Sequence, residues 1–458
     1  MRFRRVIAAL LPAGVAAAVA ILPAGAFART GSAAHYAAGR IAKAAAGRVI
    51  PADSSPLAYR YAGKLSGKKR ASGALLDCQQ PGASPSCYTP QELATAYDIP
   101  SRLTGAGKTI VILDAFGDPM IARDLAVEDT AFGLPTANLN IMYPDGKPVF
   151  DPTNTDEINW SGEIALDVES SHAIAPAATI DLVIAKSDSD ASILSALRYA
   201  VRHRLGDVLS QSYGEAESCE SRSMVRAGHL LFERAALARI TVLASSGDYG
   251  AGQPSCDGST LIKSVGLPAA DPLVTSVGAT SLTATQPDGG YESETAWNDV
   301  YGSSNGGYST LFPRPGYQAG LVPGLRRGVP DVSYSGDVNN GLLIAWSQGV
   351  AANLGQIYEF GGTSAGPPQW AAIIALADQA GRHDLGFINP RLYQIARGWR
   401  YDYVFHDVTT GNNSVSYTGA NGNLATINGY SAGPGWDAVT GLGTPDVAHL
   451  ISALRVTR

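Results

Sequence analysis

The segment 361–366, with the sequence GGTSAG, places one serine between the run 357–360, IYEF, and an apolar stretch. Residues 357–360 predict a strand, and residues 369–380 predict a helix. This order of strand, glycine turn, serine and helix exposes a hydroxyl at a helix N-terminus, where free N–H groups and the helix dipole favour negative charge. The pattern predicts that Ser364 is a nucleophile, although a serine that only caps the helix would look the same.

A serine nucleophile needs a base, and none of the seven histidines stands in a His-Gly-Thr context. Residues 160–167, WSGEIALD, instead place Glu163 and Asp167 four apart, on one helical face. The apolar neighbours favour burial, and two buried carboxyls that share a proton separate their pKa values and leave one ionised as a base. A solvated acidic helix face is the alternative interpretation.

A third acidic residue, Asp248, follows a predicted strand within the turn 245–250, SSGDYG. The carboxyl ends of parallel strands form the functional edge of an α/β sheet, which makes Asp248 a candidate site residue. An aspartate in a glycine-rich turn also serves ordinary turn geometry, so this signal is weak when taken alone.

Together these three segments resemble the sedolisin, or serine-carboxyl peptidase, family, which is related in fold to the subtilisins. The resemblance covers nearly everything from Tyr88 onward. It implies that Ser364 is the nucleophile, Glu163 its base, Asp167 the orienting partner of that base and Asp248 a member of the oxyanion hole. It further implies an α/β, subtilisin-like fold, with a largely parallel sheet flanked by helices in a single large catalytic domain.

The implied activity is that of an endopeptidase that acts on polypeptides in acid, because a carboxyl group donates a hydrogen bond to an oxyanion only while protonated. The segment 210–215, SQSYGE, resembles the part of this superfamily that pairs with an extended substrate. Ser212, Tyr213 and Gly214 are therefore the expected substrate-binding residues. The alternative is that they simply continue the sheet.

The C-terminal segments 406–411, 432–437 and 440–443 resemble the calcium site of the family. The resemblance implies one Ca²⁺ ion in an all-oxygen shell. The implied ligands are the side chains of Asp407 and Asp437 and the main-chain carbonyls of Val408, Gly433 and Gly435. Without the resemblance, these segments would read as a glycine-rich turn region.

Two features depart from the family pattern. Gly366 stands where the family commonly has serine, which leaves one local contact in doubt. Residues 29–77 are too short for the long folded propeptide that the family usually carries, and we interpret them as a short propeptide or linker.

Residues 1–28 predict a signal peptide, with early arginines, an apolar stretch and a small-x-small pattern at 26–28. An uncleaved membrane anchor is the alternative. The prediction is a secreted, extracellular protein with no membrane association after signal removal. The basic run 67–70 is a candidate processing site or a solvated charge cluster.

The four cysteines lack the spacing of a zinc site, and export favours disulfides over free thiols. Proximity alone predicts the pairs Cys78–Cys87 and Cys219–Cys256. Beyond Cys78, short β-branched runs alternate with alanine-rich stretches, and no linker divides residues 78–458, so we predict one α/β domain. The predicted strands are 109–113, 180–184, 207–210 and 240–244, and the predicted helices are 160–174, 190–204 and 222–239.

The composition and net charge of the chain limit the classes of molecule that it is expected to bind. The chain has 458 residues, 45% of them apolar and 16% charged, which is enough for a large core. A formal net charge of -6 provides no basic field for phosphates, so no nucleic-acid partner is expected. The predicted assembly is a monomer.

Two rival functions remain. The motif at 362–366 also fits the GxSxG nucleophile elbow of α/β-hydrolases, with Asp407 and His449 available downstream, which would make a secreted esterase. No HGGG-type segment precedes it, however. The second rival is a catalytically silent, calcium-binding member of the same fold.

Overall fold

The computed structural model describes residues 58–64, 76–80, 82–418 and 424–455. The predicted signal peptide with its cleavage pattern, the basic run 67–70 and His35 lie outside these residues. Within the described residues, no helix is long and apolar enough to cross a membrane.

The described residues form nine α-helices, which we number in chain order. They are α1 Pro90–Ala96, α2 Ile121–Phe132, α3 Thr155–Ile174, α4 Asp190–His203, α5 Arg222–Leu237, α6 Gly366–Gly381, α7 Asn389–Ala396, α8 Tyr401–Val404 and α9 Val447–Leu454.

The strands β1 to β11 are β1 Tyr59–Lys64, β2 Ser86–Tyr88, β3 Thr109–Ala115, β4 Asn138–Met142, β5 Thr179–Ala185, β6 Val208–Gln211, β7 Glu215–Ala216, β8 Thr241–Ser245, β9 Gly252–Pro254, β10 Leu261–Lys263 and β11 Gly266–Leu267. The strands β12 to β22 are β12 Thr275–Ala284, β13 Tyr291–Ala296, β14 Gly307–Pro313, β15 Arg326–Val329, β16 Val332–Ser335, β17 Asn340–Ala345, β18 Gln356–Phe360, β19 Phe405–His406, β20 Val415–Thr418, β21 Leu424–Ile427 and β22 Thr444–Pro445.

The central sheet has eight strands in the order β13-β12-β8-β6-β3-β5-β4, with β16 also paired to β12. All of its pairings are parallel except that of β12 with β13. Both faces are covered. Along β3, Ile110 and Ile112 pack with α3 and α6, whereas Val111 and Leu113 pack with α4 and α5. This burial on both sides explains the continuous apolar run of the strand.

Helix α6 lies at the centre of one layer, where it packs against α3, and its residues Gly366 to Asp378 are buried all round. A helix that is apolar on every side requires such a position. The four predicted strands and three predicted helices are all present, with ends shifted by a few residues because end residues lack half of their ladder or helix partners.

A smaller sheet in the order β1-β18-β17-β2 carries the strand that precedes Ser364. Strand β1 belongs to the segment 29–77, which the sequence suggests is a propeptide or linker, yet it pairs antiparallel with β18. The ring of Tyr59 packs edge-on against that of Trp346, with 5.0 Å between the ring centroids. Arg60 forms an ion pair with the buried Glu359. At least this part of the segment is thus integrated into the fold.

Both predicted disulfides are present, Cys78–Cys87 and Cys219–Cys256. The first ties the 3-10 turn Asp77–Gln79 to β2, and the second joins the loop before α5 to the loop after β9. The alternative of free thiols is therefore wrong.

Candidate active site

Ser364 lies where strand β18 meets helix α6. A 3-10 turn, Thr363–Ala365, connects the two elements, and the serine is only 3% exposed. Gly362 precedes the turn with φ of 91°, and a side chain there would approach the Asp248 carboxylate to 2.8 Å. Glycine is therefore required both for this backbone conformation and for the approach of Asp248.

Glu163 extends from α3, the helix that packs against α6, and it is 1% exposed. Burial raises the pKa of this carboxyl well above its ordinary value, a hydrogen bond from Ser364 opposes the rise, and the charges of Asp114 and Asp248 add to it. The hydroxyl therefore stabilises the ionised form of the carboxyl that it contacts.

Asp167 lies one turn further along α3 and is fully buried. Its Oδ1 accepts a hydrogen bond of 2.9 Å from the Ser212 hydroxyl, which also lies 3.3 Å from the carbonyl oxygen of Ser364. Burial raises the pKa of Asp167, with further contributions from the charges of Asp114 and Glu163. Ser212 thus connects this acid to the main chain of the serine.

Asp248 approaches from the turn that follows β8. Its Oδ1 accepts hydrogen bonds from the Thr363 N–H at 2.8 Å and the Thr363 hydroxyl at 2.6 Å. These bonds fix the carboxyl next to Ser364 and leave Oδ2 on the side of Gly362. Burial raises the pKa of Asp248 to about 6, against the smaller effect of the two Thr363 bonds.

Asp114, at the end of β3, is a fourth buried acid that the sequence interpretation missed. Neither of its carboxylate oxygens has a hydrogen-bond partner among the described residues. Burial raises its pKa to about 8, and its charge raises the pKa of both Glu163 and Asp167. The available signal was a single acid ending an otherwise apolar strand at the functional edge of the sheet.

None of the histidines in the described residues takes part in this arrangement. The described histidines make their hydrogen bonds and ring contacts elsewhere, with Asp129 (His172), Tyr199 (His203), Asp271 (His229), Gly381 (His383), Tyr291 (His406) and Asp446 (His449). Asp407 bonds with Tyr401 and Gly435. The Ser364, Asp407 and His449 set of the esterase alternative is therefore not assembled.

Comparison with known proteins places this geometry in a family. No family model matches the chain. Kumamolisin from Bacillus sp. (strain MN-32) is 35% identical over 403 residues, which cover 84% of this chain and 67% of kumamolisin. The chain belongs to the sedolisin family. Sedolisin from Pseudomonas sp. (strain 101) is 32% identical over 387 residues, 80% of this chain and 61% of that protein.

A solved structure supports the same family assignment. The complex of Pseudomonas sedolisin, a serine-carboxyl proteinase, with two molecules of pseudo-iodotyrostatin has a TM-score of 0.69 and 30% identity, and the match covers 82% of this chain and 99% of that one. This sedolisin-family chain accordingly has the subtilisin-like α/β fold and is a serine peptidase by class.

Two features that were uncertain in the sequence become clear in this sedolisin-family fold. A side chain at Gly366 would meet Val277 at 2.5 Å, so the glycine that departs from the family pattern makes room for a core valine.

Strand β6 ends at Gln211, and Ser212–Gly214 lie outside the strand ladders. The Ser364 hydroxyl lies 3.5 Å from the Ser212 carbonyl. The main chain of these predicted substrate-binding residues therefore borders the nucleophile.

The predicted calcium ligands also come together. Asp407 accepts a hydrogen bond of 2.9 Å from the N–H of Gly435, and Asp437 accepts one of 3.1 Å from the N–H of Gly433. The Thr440 hydroxyl bonds to Asp437 at 3.0 Å and contacts the Val408 carbonyl at 3.4 Å. Two carboxylates and nearby main-chain carbonyls, with no lysine or arginine paired to either acid in the described chain, fit a hard cation.

Proposed function

We propose that this chain is a secreted endopeptidase that hydrolyses polypeptides in acid by acyl transfer through Ser364. One observation carries the proposal: the Ser364 hydroxyl lies close enough to the buried Glu163 carboxyl to lower its pKa, whereas the described histidines make their contacts elsewhere. A serine is a weak nucleophile until an adjacent base takes its proton, and Glu163 is the group in contact with it.

In the proposed reaction, Ser364 Oγ attacks the peptide carbonyl while Glu163 takes the hydroxyl proton. The Oδ2 of protonated Asp248 and the Ser364 N–H stabilise the oxyanion. Glu163 then returns the proton to the leaving amine, and water hydrolyses the acyl-enzyme by the same steps. Asp167 orients Glu163 from the next turn of the helix and, like Asp114, holds its own proton, so that the negative charge resides on Glu163.

The proposed substrate is an extended or unfolded polypeptide. Ser212, Tyr213 and Gly214 present main-chain groups that are not used by a strand ladder, next to the nucleophile. Main-chain pairing of this kind recognises an unfolded chain first and side chains second. The two disulfides support export to an oxidising compartment, where such substrates are available.

Incubation of the purified protein with denatured casein tests the proposal. We expect cleavage at about pH 4, where the Asp248 carboxyl is protonated and can donate to the oxyanion, and much less at neutral pH. The Ser364→Ala variant is the matched control and should leave the casein intact. Absence of cleavage by the parent protein under all acid conditions would favour the silent, calcium-binding alternative.

We further propose that Asp407, Val408, Gly433, Gly435 and Asp437 bind one Ca²⁺ ion. The ion would supply positive charge between two acidic side chains and connect the segment after α8 to the loop before β22. Its contribution would be to stability, because a ligand that binds only the folded state raises the free energy of unfolding.

Addition of calcium to chelator-treated protein should raise Tm by several degrees, since a concentration of about 100 Kd adds about 2.7 kcal/mol. Asp437→Asn should abolish the rise, because it removes one of the two carboxylate charges. Asp446→Asn, which changes an acid of the neighbouring His449 pair, is the control and should keep it. An equal calcium effect in the Asp437→Asn protein would contradict the site.

A further inference from the structure

A cavity of about 60 Å³ lies beside the predicted substrate segment, between helices α4 and α5. A smaller cavity of about 10 Å³ is lined by Gly214, Glu215 and Ala216 at the end of the same segment. The second volume is about that of one water molecule, so only the first has room for the end of a long side chain.

The larger cavity follows the alternation of the extended chain. Gln211, Tyr213 and Glu215 all line it. Successive residues of an extended segment point to opposite sides, and these three residues share one side. Gly214 and Ala216 line only the small cavity, whereas Glu215 borders both cavities. A peptide paired with this segment would alternate in the same way and would direct every second side chain toward the larger cavity.

The walls of this cavity combine apolar surface with acid groups. The apolar part includes Ile193, Leu197, Phe232 and Leu267, and the acidic residues are Asp190, Glu215, Glu220 and Asp271. Among the described residues, no lysine or arginine lines it. Such a lining suits a side chain that has an apolar stem and a cationic end.

The acidic residues of the cavity differ in the hydrogen bonds and ion pairs that they make within the protein. Asp271 bonds to His229 at 2.7 Å and to the N–H of Leu273 at 2.9 Å. Neither Asp190 nor Glu220 pairs with a lysine or arginine of the described chain. Burial raises the pKa of Glu220 to about 7, and the charges of Asp190 and Asp271 add to the rise. A cation bound beside this carboxyl would lower its pKa again and favour the ionised form. These two half-buried carboxyls therefore have capacity for a cation.

An independent observation concerns Gln211, which is only 1% exposed. Its Oε1 accepts the Tyr213 hydroxyl at 2.8 Å, but its Nε2 has no hydrogen-bond partner among the described residues. A buried amide N–H without a partner is unfavourable, and a peptide main chain in the groove would supply the missing carbonyl. A bound peptide would satisfy both kinds of group. Its main-chain carbonyl would accept a hydrogen bond from the Gln211 amide, and its side chain would contact the acidic residues of the cavity.

We propose that this cavity is a specificity pocket that receives an arginine or lysine side chain of the substrate, with Glu220 and Asp190 as the residues that recognise the cation. The inference rests on the proposed peptidase function and adds a substrate preference to it. Arginine fits best, because its planar group donates several hydrogen bonds to carboxylates while its stem contacts the apolar wall.

Binding to the inactive Ser364→Ala protein tests the pocket without requiring turnover. It is measured above pH 7, because burial raises the pKa of Glu220 to about 7 and its carboxyl is then ionised before any cation binds. The probes are alanine-rich peptides in which a single arginine, or a norleucine of similar length, is moved along the chain. At one position arginine should bind about tenfold or more tightly than norleucine, the effect of a charge-assisted hydrogen bond. Adding Glu220→Gln should bring that ratio close to one.

Glu233→Gln is the matched control, since it removes a carboxyl from an exposed site on α5, the helix that follows Glu220, and this site does not line the cavity. It should preserve the arginine preference. If Glu220→Gln impairs folding, Asp190→Asn should lower the ratio instead. The pocket is ruled out if no position distinguishes arginine from norleucine, or if the preference survives both substitutions.

Failure of the proposed function gives a different result. A parent protein that binds arginine peptides selectively but cleaves nothing would retain the pocket and lose the peptidase. A parent protein that cleaves casein without any basic preference would retain the peptidase and lose the pocket.

Discussion

Replacing Glu163 by glutamine is expected to lower kcat/KM for peptide hydrolysis about 10⁴-fold at every pH. Glutamine keeps the size of the side chain and can still contact the Ser364 hydroxyl, but it cannot accept the proton at any pH. The loss should appear in kcat, because the base acts in the transition state and makes little contribution to substrate binding. The measurement is steady-state hydrolysis of a fluorogenic peptide.

Ser364→Ala should cause a loss of similar size, and the double variant should lose no more than either single variant. Residues that act as one unit in a proton transfer give strongly non-additive effects, because removal of either one abolishes the same step. Additive losses would indicate that Glu163 acts separately from Ser364, as a structural residue would.

Glu169→Gln provides the control. Glu169 is a buried carboxyl on the same helix, and it accepts a hydrogen bond of 2.7 Å from the N–H of Ala345 in the second sheet. The same change of charge at this position should leave kcat within a small factor, provided that a thermal melt shows the variant folded. A Glu163→Gln protein that keeps more than about a tenth of parental kcat would exclude the glutamate base.

Activity is expected to fall on the alkaline side of about pH 6, the pKa to which burial raises Asp248. Below this pH the carboxyl is protonated and donates a hydrogen bond to the oxyanion. Above it the carboxylate is negative and repels the developing charge. For a single ionisation, kcat/KM should decrease about tenfold for each pH unit above the pKa.

Two substitutions at Asp248 separate its charge from its hydrogen bond. Asp248→Ala removes the donor and should lower kcat about 10²- to 10³-fold at acid pH. Asp248→Asn retains an N–H donor at every pH, and its carbonyl oxygen can accept the two Thr363 bonds that now hold Oδ1. The decline near pH 6 should therefore be absent from the asparagine variant. The same decline in that variant would assign the ionisation to another group.

Asp114 offers an internal check on this assignment. Its pKa is raised to about 8, above that of Asp248, so the decline near pH 6 should remain in an Asp114→Asn protein. The neighbouring acids thus titrate in different ranges because they differ in hydrogen bonding. Asp248 accepts two bonds that stabilise its charge, whereas the oxygens of Asp114 accept none among the described residues.

Much of the candidate site was predictable from sequence because its parts are local. The order of strand, turn, Ser364 and helix α6 depends on consecutive residues, and the shared face of Glu163 and Asp167 depends only on the helical repeat. The disulfide Cys78–Cys87 closes a short loop, so proximity sufficed for its prediction.

The features that the sequence did not reveal all depend on contacts between distant segments. Asp114 joins the acids only because β3 lies beside β5 and β6 in the sheet, and a single acid in an apolar strand does not indicate its neighbours. The sequence did not predict strand β1, which lies in the segment interpreted as a propeptide or linker. This six-residue strand is stabilised by its pairing with β18 and by aromatic packing, both of which involve residues far away in the chain.

By itself, the sequence determined the chemistry: which residue could act as nucleophile, which carboxyls share a helix face, and which segments form strands and helices. Only the tertiary structure decided the environment of these groups, including the burial that raises the pKa of each acid, the convergence of Asp114 and Asp248 on Ser364 and Glu163, and the cavity beside Tyr213. Helical and strand periodicity is written in neighbouring residues, whereas desolvation and convergence arise from elements that are far apart in the chain and meet only on folding.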